Sequence, residues 1–347
     1  MKRLVRHLYS TLADNKPCVL ATVGSQSGST PRVAGTKMIV HEDGSIFGTI
    51  GGGIVEATAI REAASCFLQK TGAYKRFDLS NSEAAVSDMI CGGTMDLYLE
   101  YIAPSAENTA VFQQLEKELR AGRRVTLVSH LNGEDFRFFI DHRGRVDRDD
   151  LPSEVVSLCR QAGVSLSGAA RVDCGTEQYL LSSFSSGGHL VLVGAGHVAA
   201  CTAEAAARVG FRITVMDDRE EFANKGRFPH ATAIRVLPTF AGCLNDMDID
   251  SDTYVVIVTR GHLHDMEVLE QALRTRAGYI GMIGSRRKRN AIYTQLLDRG
   301  ITEAQLGQVR CPIGMAIEAD TPEEIAVSIV GELIYQRATG RRAWHLA

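Results

Sequence analysis

The fold is decided by the stretch His189-Leu190-Val191-Leu192-Val193-Gly194-Ala195-Gly196-His197-Val198-Ala199, which lies just past the middle of the chain. An apolar run typical of a buried strand ends there in a glycine turn, and the following residues favour a helix. Gly194 permits the tight turn, Gly196 lets a phosphate approach the backbone, and Ala199 keeps the helix close to the sheet. This G-x-G-x-x-A pattern between a strand and a helix predicts a dinucleotide-binding Rossmann unit.

Two polar residues extend this fingerprint. Asp217 follows the apolar residues of the next predicted strand, where a carboxylate accepts hydrogen bonds from a ribose 2′-hydroxyl in NAD sites. His197 stands in the first turn of the helix, where the positive end of the dipole favours a neutral imidazole facing the ligand. We therefore predict NAD(P) or another nucleotide as the ligand. The alternatives are a turn that binds nothing and a histidine that only packs.

Beyond this unit, strands and helices alternate strictly. The apolar runs predict parallel strands at residues 189–193, 211–216, 232–237, 254–259 and 279–283. Such alternation is typical of a doubly wound sheet, in which ligands bind outside the carboxyl ends of the strands. A last helix begins at Thr321-Pro322-Glu323-Glu324, because Thr321 is placed to cap it and Glu324 completes a capping box.

Two loops at the carboxyl ends of these strands carry further candidate binding residues. They are Arg260, His262 and His264 after the fourth strand, and Gly284, Ser285 and Arg286 after the fifth. The first loop offers a cation for anionic groups and two imidazoles that would act as acid, base or metal ligands. The second offers backbone N–H groups and a guanidinium, which predict an anion site. The alternatives are exposed residues at a helix start and a tight turn without a ligand.

The first half of the chain mixes helices and strands without this alternation, which indicates an α+β domain. Predicted helices lie around Leu4, Leu8 and Leu12, over 54–68, and around Phe112, Leu115 and Leu119 with Gly122 closing the last; predicted strands cover 17–23, 37–40, 45–50, 94–102, 124–129 and 136–141, with a hairpin turn at 41–44. Small polar residues at 182–188 indicate a linker. We therefore predict an N-terminal α+β domain, 1–185, followed by a C-terminal Rossmann-like doubly wound parallel-sheet domain, 186–347.

Glycine-rich loops in the first half supply another group of candidates, namely Gly28-Ser29-Thr30-Pro31-Arg32, Gly51-Gly52-Gly53 and Cys91-Gly92-Gly93. Three successive glycines cost backbone entropy, so the close approach of a ligand or of another backbone would explain them better than a turn alone. Arg32 would clamp a phosphate or carboxylate, with Glu56 in the helical turn that follows the glycines. Cys91 presents a thiol outside any apolar run, which favours reactivity or metal contact over burial.

The composition argues against several classes of function. The chain has 347 residues, 45% hydrophobic and 23% charged, which is ordinary for a globular protein of two domains. A net charge of −3 gives no general reason to bind nucleic acid, and the basic run at 286–289 is typical of a solvated helix face. No apolar stretch suits a membrane span or a signal peptide. The eight cysteines include no C-x-x-C pair, which indicates reduced thiols and a cytoplasmic protein.

Taken together, these motifs resemble the XdhC/CoxI family, the accessory factors of xanthine-dehydrogenase-type and carbon-monoxide-dehydrogenase-type molybdenum hydroxylases. The matching blocks are residues 21–23, 28–32, 48–57, 91–93, 193–199, 217–219, 259–265, 279–288 and 312–326. In the N-terminal domain the resemblance lies in the core at 1–103, and residues 104–185 contribute little. Several blocks in the family's order are more specific than any single motif.

The resemblance implies a role in maturation of the molybdenum cofactor. Members of the family bind the pterin–molybdenum cofactor, hold it while its terminal sulfido ligand is installed, and pass it to the hydroxylase apoenzyme. On this chain the glycine loops and Arg32 would cradle the pterin phosphate, and Cys91 would contact molybdenum. The implied partners are a molybdenum hydroxylase apoenzyme and a cysteine desulfurase, and transfer between partners suggests a homodimer.

The sequence leaves a second class of function open. An NAD(P)-dependent oxidoreductase would use Asp217 on the ribose and His262 or His264 to move a proton. No catalytic pair in a substrate domain accompanies the fingerprint, so we favour a non-catalytic cofactor chaperone over an enzyme. Binding of NAD(H) or NADP(H) is the first observation that would distinguish the two hypotheses.

Overall fold

The computed structural model describes residues 1–27, 32, 34–78, 93–131, 136–141, 144–148, 151–163, 168–185 and 187–339 of the chain. The chain divides into two compact units, Met1–Ser185 and Ser186–Ala347. Each unit has its own sheets and its own hydrophobic cores. In the part of the chain that the structure describes, every helix is too short or too polar to cross a lipid bilayer.

The first unit begins with an antiparallel sheet and two helices. Its elements are α1 (Lys2–Ala13), β1 (Cys18–Ser27), β2 (Lys37–Val40), β3 (Ile46–Gly48), α2 (Gly53–Gln69), β4 (Ala73–Asp78) and β5 (Thr94–Ile102). The strand order is β3-β2-β1-β5-β4. The predicted opening helix, hairpin and second helix are confirmed, and the hairpin turn is closed by backbone hydrogen bonds between His41 and Ser45 and between Gly44 and His41. The sequence pattern misses β4, because the residues of that strand are mostly polar and exposed.

A second antiparallel sheet follows within the same unit. Its elements are α3 (Ala106–Arg120), β6 (Val125–His130), β7 (Arg137–Asp141), α4 (Ser153–Gly163), β8 (Ala169–Cys174) and β9 (Glu177–Phe184), and the strand order is β7-β6-β9-β8. Helix α3 ends as predicted, with Gly122 at φ +87° just past its cap. The predicted linker at 182–188 is wrong in its first half, because Ser182, Ser183 and Phe184 end β9 and are buried. Small serine side chains fit between packed strands, so they do not mark a surface segment here.

The side chains of β1 alternate between two cores of the first unit. Val19, Ala21 and Val23 pack in a core with α2, whereas Cys18 and Leu20 pack in a layer with α1, α3 and the second sheet. The first sheet is therefore covered on both faces. This explains why the apolar run at the start of β1 is nearly continuous rather than alternating.

Lys37, at the start of β2, is a charged residue with almost no exposed surface. It is 4% exposed, and its Nζ donates to the carbonyl oxygens of Gly35 and Ser183 at 3.0 and 3.4 Å. The ammonium also lies 4.4 Å from the centre of the Phe184 ring. Burial lowers the pKa of Lys37 to about 7, although the carboxylate of Glu100 acts in the opposite direction.

This buried amine predicts a stability that rises with pH. In the unfolded chain the Lys37 amine has its ordinary pKa of 10.5, so between about pH 7 and that value the unfolded state binds more protons than the folded state. We expect the free energy of unfolding to gain about 2 kcal/mol from this group between roughly pH 7.5 and 9.5. Urea denaturation at both pH values would measure the gain, and Lys37→Met should abolish it. An equal pH dependence in the two proteins would contradict the prediction.

The second unit is a parallel sheet of six strands with helices between them. Its elements are β10 (His189–Val193), α5 (His197–Arg208), β11 (Arg212–Asp217), β12 (Ala233–Val236), β13 (Thr253–Ile257), α6 (His262–Leu273), β14 (Tyr279–Met282), α7 (Arg286–Asp298), α8 (Glu303–Leu306), β15 (Val309–Arg310) and α9 (Pro322–Thr339). The strand order is β12-β11-β10-β13-β14-β15, and every neighbouring pair is parallel. The predicted doubly wound fold and its five strands are confirmed. The structure adds β15, which is too short to leave a pattern in the sequence.

Strand β10 lies in the middle of this sheet and is buried on both faces. Leu190 and Leu192 pack in a core with α5 and α9, and the valines that alternate with them pack in a core with α6 and α7. Helix α9 begins at Pro322 with the predicted capping box, in which Thr321 and Glu324 exchange hydrogen bonds. The unit thus places the glycine turn after β10 at the centre of the sheet's carboxyl edge, where doubly wound folds bind ligands.

Candidate functional site

The glycine turn after β10 contains two glycines with different roles. Gly194 has φ +107°, and a Cβ there would lie 2.3 Å from the carbonyl oxygen of Val258. Gly196 caps the N-terminus of α5, and a Cβ there would meet no atom within 4 Å. Gly194 is therefore required because the loop that follows β13 approaches it closely. Gly196 instead faces open space beside the free N–H groups at the start of α5.

Asp217, at the end of β11, braces this turn. It is 1% exposed, and one carboxylate oxygen accepts a hydrogen bond from the N–H of Ala195 at 2.7 Å. The Arg219 guanidinium donates to both oxygens, at 2.8 and 3.1 Å. Burial acts to raise the pKa of this carboxyl, but the hydrogen bonds from Arg219 and Ala195 lower it below its ordinary value. A ribose hydroxyl, the predicted donor, would have to share an oxygen that already accepts a hydrogen bond within the protein.

Arg260, predicted to bind anionic groups, forms an ion pair in this structure. Its Nη2 donates to Asp218 Oδ2 at 2.7 Å, and Asp218 Oδ1 lies 3.7 Å from Arg219 Nε. The loops after β11 and β13 therefore meet at the Asp218 carboxylate, with an arginine on each side. An anionic ligand in this crevice would compete with Asp218 for these guanidinium groups.

A buried ion pair joins the two loops that follow β13 and β14, and the sequence analysis missed it. Asp265, in the first turn of α6, is fully buried; it accepts a hydrogen bond from Thr259 Oγ1 at 2.6 Å and is in close contact with Lys288 Nζ. The expectation that the basic run at 286–289 forms a solvated face is thus wrong for half of it. Lys288 reaches Asp265, and Arg289 donates to a backbone carbonyl oxygen.

The three predicted imidazoles have different surroundings. His197 and His262 are exposed at the starts of α5 and α6, whereas the His264 ring packs 5.0 Å from the ring of Phe240. His262 and His264 are two positions apart on a helix and therefore point to different faces. Across the described ranges no group of three or more His, Cys, Asp or Glu residues is placed to hold a metal ion.

The turn after β14 carries the second predicted anion site. Gly284 has φ +155°, and Ser285 caps α7 by accepting a hydrogen bond from the N–H of Lys288 at 3.3 Å. One donor of the first helical turn is thus satisfied by the chain itself. Ser285 and Arg286 are both exposed at this turn, where a ligand would reach them.

In the first unit, the strand register brings the flanks of the glycine loops to one end of the five-stranded sheet. Thr94, the first residue of β5, pairs with Ser27 at the end of β1 and with Asp78 at the end of β4. Gly93 precedes this point and is buried, and Arg32 lies exposed in the segment between β1 and β2. Cys91 and Gly92 lie outside the described residues.

The loop Gly51-Gly52-Gly53 is closed by a carboxylate of the chain. All three glycines have positive φ, of 128°, 74° and 55°. Glu56 Oε1 accepts hydrogen bonds from the N–H groups of Ile50 and Gly52, at 3.1 and 2.8 Å, and from the Thr49 hydroxyl. Burial acts to raise the pKa of Glu56, but the hydrogen bonds from Thr49, Gly52 and Ile50 lower it below the ordinary value.

These contacts change what the glycine loop offers a ligand. The N–H groups of Gly52 and of Ile50, which precedes the loop, face Glu56, so a phosphate at those groups would meet a negative charge. A Cβ at Gly52 would meet nothing within 4 Å, which leaves open space on the outer side of the loop. Glu56 thus fixes the conformation of this loop, in which all three glycines have positive φ.

Family comparisons match both units. The XdhC and CoxI family matches residues 11–78, and the XdhC Rossmann domain matches residues 190–333. Together these two matches cover more than half of the chain.

Three curated proteins are similar over nearly the whole chain. The uncharacterized protein YqeB of Escherichia coli K12 is 27% identical over 322 residues, which are 92% of this chain but 43% of YqeB. A probable xanthine dehydrogenase subunit from Bacillus subtilis 168 is 26% identical, covering 95% of this chain and 96% of that protein. The molybdenum cofactor insertion chaperone PaoD of Escherichia coli K12 is 24% identical, covering 96% and 87%.

A solved structure shares the fold. The crystal structure of a xanthine dehydrogenase from Bacillus halodurans superposes with a TM-score of 0.71 at 27% identity, over 97% of this chain and 96% of that one. The two family matches cover the glycine loop in the first unit and the Rossmann fingerprint in the second. On these grounds the chain belongs to the XdhC/CoxI family.

Proposed function

We propose that this protein is a maturation factor for the molybdenum cofactor: it binds the cofactor, supports its sulfuration and inserts it into a xanthine-dehydrogenase-type hydroxylase. Membership of the family supports the role, as does the similarity to PaoD, which is described as a molybdenum cofactor insertion chaperone. The relative from Bacillus subtilis supports a hydroxylase of the xanthine dehydrogenase type as the partner. The protein would act as a carrier, with a cysteine desulfurase as the sulfur donor.

We place the cofactor site at the end of the five-stranded sheet where β1, β4 and β5 meet. The observation that carries this assignment is the register, since Ser27, Asp78 and Thr94 are paired neighbours although they are distant in sequence. Arg32 would bind the terminal phosphate there. A soft thiolate is a suitable ligand for molybdenum, and Cys91 precedes β5 by only a few residues.

We assign a nucleotide to the crevice of the second unit. Gly196 and Gly261 both face open space at the carboxyl edge of the parallel sheet, and each caps a helix without a side-chain hydrogen bond. Arg260, next to the start of α6, and Arg286, at the start of α7, are exposed cations of the same edge. The Asp217 carboxylate already holds Ala195 and Arg219, so it supports a ligand site at this turn better than the oxidoreductase chemistry that the fingerprint alone suggested.

The cofactor role is tested by isolating the full-length protein from cells that make molybdenum cofactor. Wild-type protein should carry molybdenum and pterin, measured by elemental analysis and by the fluorescence of the oxidised pterin. Cys91→Ala should retain at least about tenfold less molybdenum, as expected for loss of a metal contact. Cys174→Ala, which removes a half-buried thiol of the same unit, is the matched control and should behave as wild type.

Three results bear on separate parts of the proposal. Wild-type protein that never retains molybdenum or pterin would contradict the cofactor role itself. Normal retention by Cys91→Ala would remove this thiol from the site and leave the role intact. Glu56→Gln should also lower retention, because Glu56 fixes the glycine loop through three hydrogen bonds.

A further inference from the structure

Two histidines of the first unit, His7 and His41, belong to neither of the proposed binding sites. His7 lies on α1, and His41 begins the hairpin turn between β2 and β3. Their Nε2 atoms lie 2.9 Å apart, although the residues are 34 positions apart in the sequence. Both residues are partly exposed. The fold thus brings two imidazole nitrogens, a common type of metal ligand, together near the protein surface.

The fold also holds both histidines in place. The His7 ring stacks on Phe47 of β3, with the ring centres 4.1 Å apart and the planes inclined by 12°. The backbone of His41 closes the hairpin turn, because its N–H donates to the carbonyl oxygen of Ser45 and its carbonyl oxygen accepts from Gly44, both at 2.9 Å. Ligands that are oriented before an ion arrives bind it more tightly. The pair meets this condition.

In the ion-free pair, one Nε2–H donates a hydrogen bond to the other Nε2. The accepting ring is then the Nδ1–H tautomer, and its lone pair points at the neighbouring nitrogen. A divalent cation takes the place of the shared proton: the donating ring moves its N–H from Nε2 to Nδ1, and both Nε2 lone pairs coordinate the ion. Both rings stay neutral in this exchange, and no proton is released from the pair.

The separation of the two nitrogens selects the kind of metal. With metal–nitrogen bonds of ~2.0–2.1 Å, a separation of 2.9 Å corresponds to an angle of roughly 90° at the ion. Octahedral or square-planar Ni²⁺ and Cu²⁺ offer such neighbouring positions, whereas tetrahedral Zn²⁺ would need the nitrogens about 3.3 Å apart. Among the described residues, no third His, Cys, Asp or Glu completes a metal cluster. Water would therefore fill the remaining positions.

The charges around the pair favour a cation. Glu42 and Asp43 follow His41 in the turn and are exposed, and the Asp43 carboxylate lies close enough to His41 to interact with it electrostatically. Arg6, which precedes His7 on α1, is paired with Glu116 at 3.3 Å. Its positive charge is thus partly compensated by a residue of another helix.

We propose that His7 and His41 bind one divalent transition-metal ion of the Ni²⁺ or Cu²⁺ type, which joins α1 to the hairpin of β2 and β3. Strand β3 ends at Gly48, three residues before the glycine loop at 51–53. An ion at this site therefore fixes the strand that leads into that loop. The proposal is independent of the cofactor role, because neither histidine belongs to the cofactor site.

The test is isothermal titration of the full-length protein with NiCl₂, after purification without a histidine tag and removal of metals with a chelator. Ni²⁺ is the probe because thiols reduce Cu²⁺, and the chain has eight cysteines. We expect one Ni²⁺ per chain and binding weakened about tenfold or more in His7→Gln and in His41→Gln. His230→Gln, which changes an exposed histidine of the second unit, is the control and should bind as wild type.

A second measurement needs no substitution and so does not depend on the folding of the variants. Diethyl pyrocarbonate modifies imidazole nitrogens that carry a free lone pair, and mass spectrometry of peptides locates the products. Saturating Ni²⁺ should suppress the modification of His7 and His41 and leave that of His230 unchanged.

Three outcomes would overturn the proposal. The first is the absence of Ni²⁺ binding at millimolar concentration. The second is wild-type affinity in both His7→Gln and His41→Gln, which would mean that the ion binds elsewhere on the surface. The third is unchanged modification of His7 and His41 in saturating Ni²⁺, which would leave the two rings as a hydrogen-bonded pair only.

Discussion

Lys288→Met is expected to lower the free energy of unfolding by about 3–5 kcal/mol, because it leaves the buried carboxylate of Asp265 without its cation. Asp265 has no exposed surface through which water could replace the ammonium group. Its remaining partner, the Thr259 hydroxyl, supplies one hydrogen bond and no charge. The methionine side chain keeps most of the volume, so the loss reports the charge rather than a cavity.

The neighbouring arginine provides the control for this substitution. Arg287 belongs to the same basic run but is exposed, so Arg287→Met should change stability by less than about 0.5 kcal/mol. Urea denaturation followed by far-UV circular dichroism would compare the two variants with wild type. The double variant Asp265→Asn with Lys288→Met should recover part of the loss, since it removes both charges together. Equal effects of the two single substitutions would contradict a special role for the buried pair.

The two glycines of the Rossmann turn should respond differently to substitution by alanine: Gly194→Ala should lower the stability of the protein, and Gly196→Ala should weaken nucleotide binding. Gly194→Ala places a Cβ 2.3 Å from the carbonyl oxygen of Val258 in a backbone conformation, φ +107°, that L side chains rarely adopt. Strain and overpacking together should lower the free energy of unfolding by about 3 kcal/mol or more. Gly196→Ala meets no atom within 4 Å, so its cost should stay below about 1 kcal/mol.

The same two variants test the proposed nucleotide site. If a phosphate approaches the backbone at Gly196, the methyl group of Gly196→Ala should weaken nucleotide binding at least about tenfold while the protein stays folded. Titration of wild type and variant with NAD(H) and NADP(H), beside thermal denaturation, measures both effects. Wild-type protein that binds none of these at millimolar concentration would exclude them as ligands. Equal binding by wild type and Gly196→Ala would place the ligand away from the turn.

The parallel sheet could be predicted because its evidence is local. Each of its five longer strands is a short apolar run, and the segments between strands and helices contain turn or capping residues such as Thr321. Strands β4, β8 and β9 and helix α4 were not predicted from the sequence. β4 is polar and exposed at the edge of its sheet, while Ser182 and Ser183 are polar residues buried within a strand.

The candidate residues could be named from the sequence, but their partners could not. The position of Asp217 followed from a motif, whereas its bonds to Ala195 and Arg219 depend on how the glycine turn folds over the end of β11. The Asp265–Lys288 pair joins two helix starts that are distant in sequence. Such contacts arise only when the carboxyl ends of neighbouring parallel strands come together.

The sequence by itself determined the order of helices and strands in the second unit, the need for glycine at Gly194, and the family of the chain. These features are encoded in local periodicity and in backbone conformations that few residues adopt. Only the tertiary structure decided that Glu56 closes the glycine loop and that Lys288 pairs with the buried Asp265. The reason is physical: which polar groups meet in a fold depends on strand register and side-chain direction, and both are set by packing between distant segments.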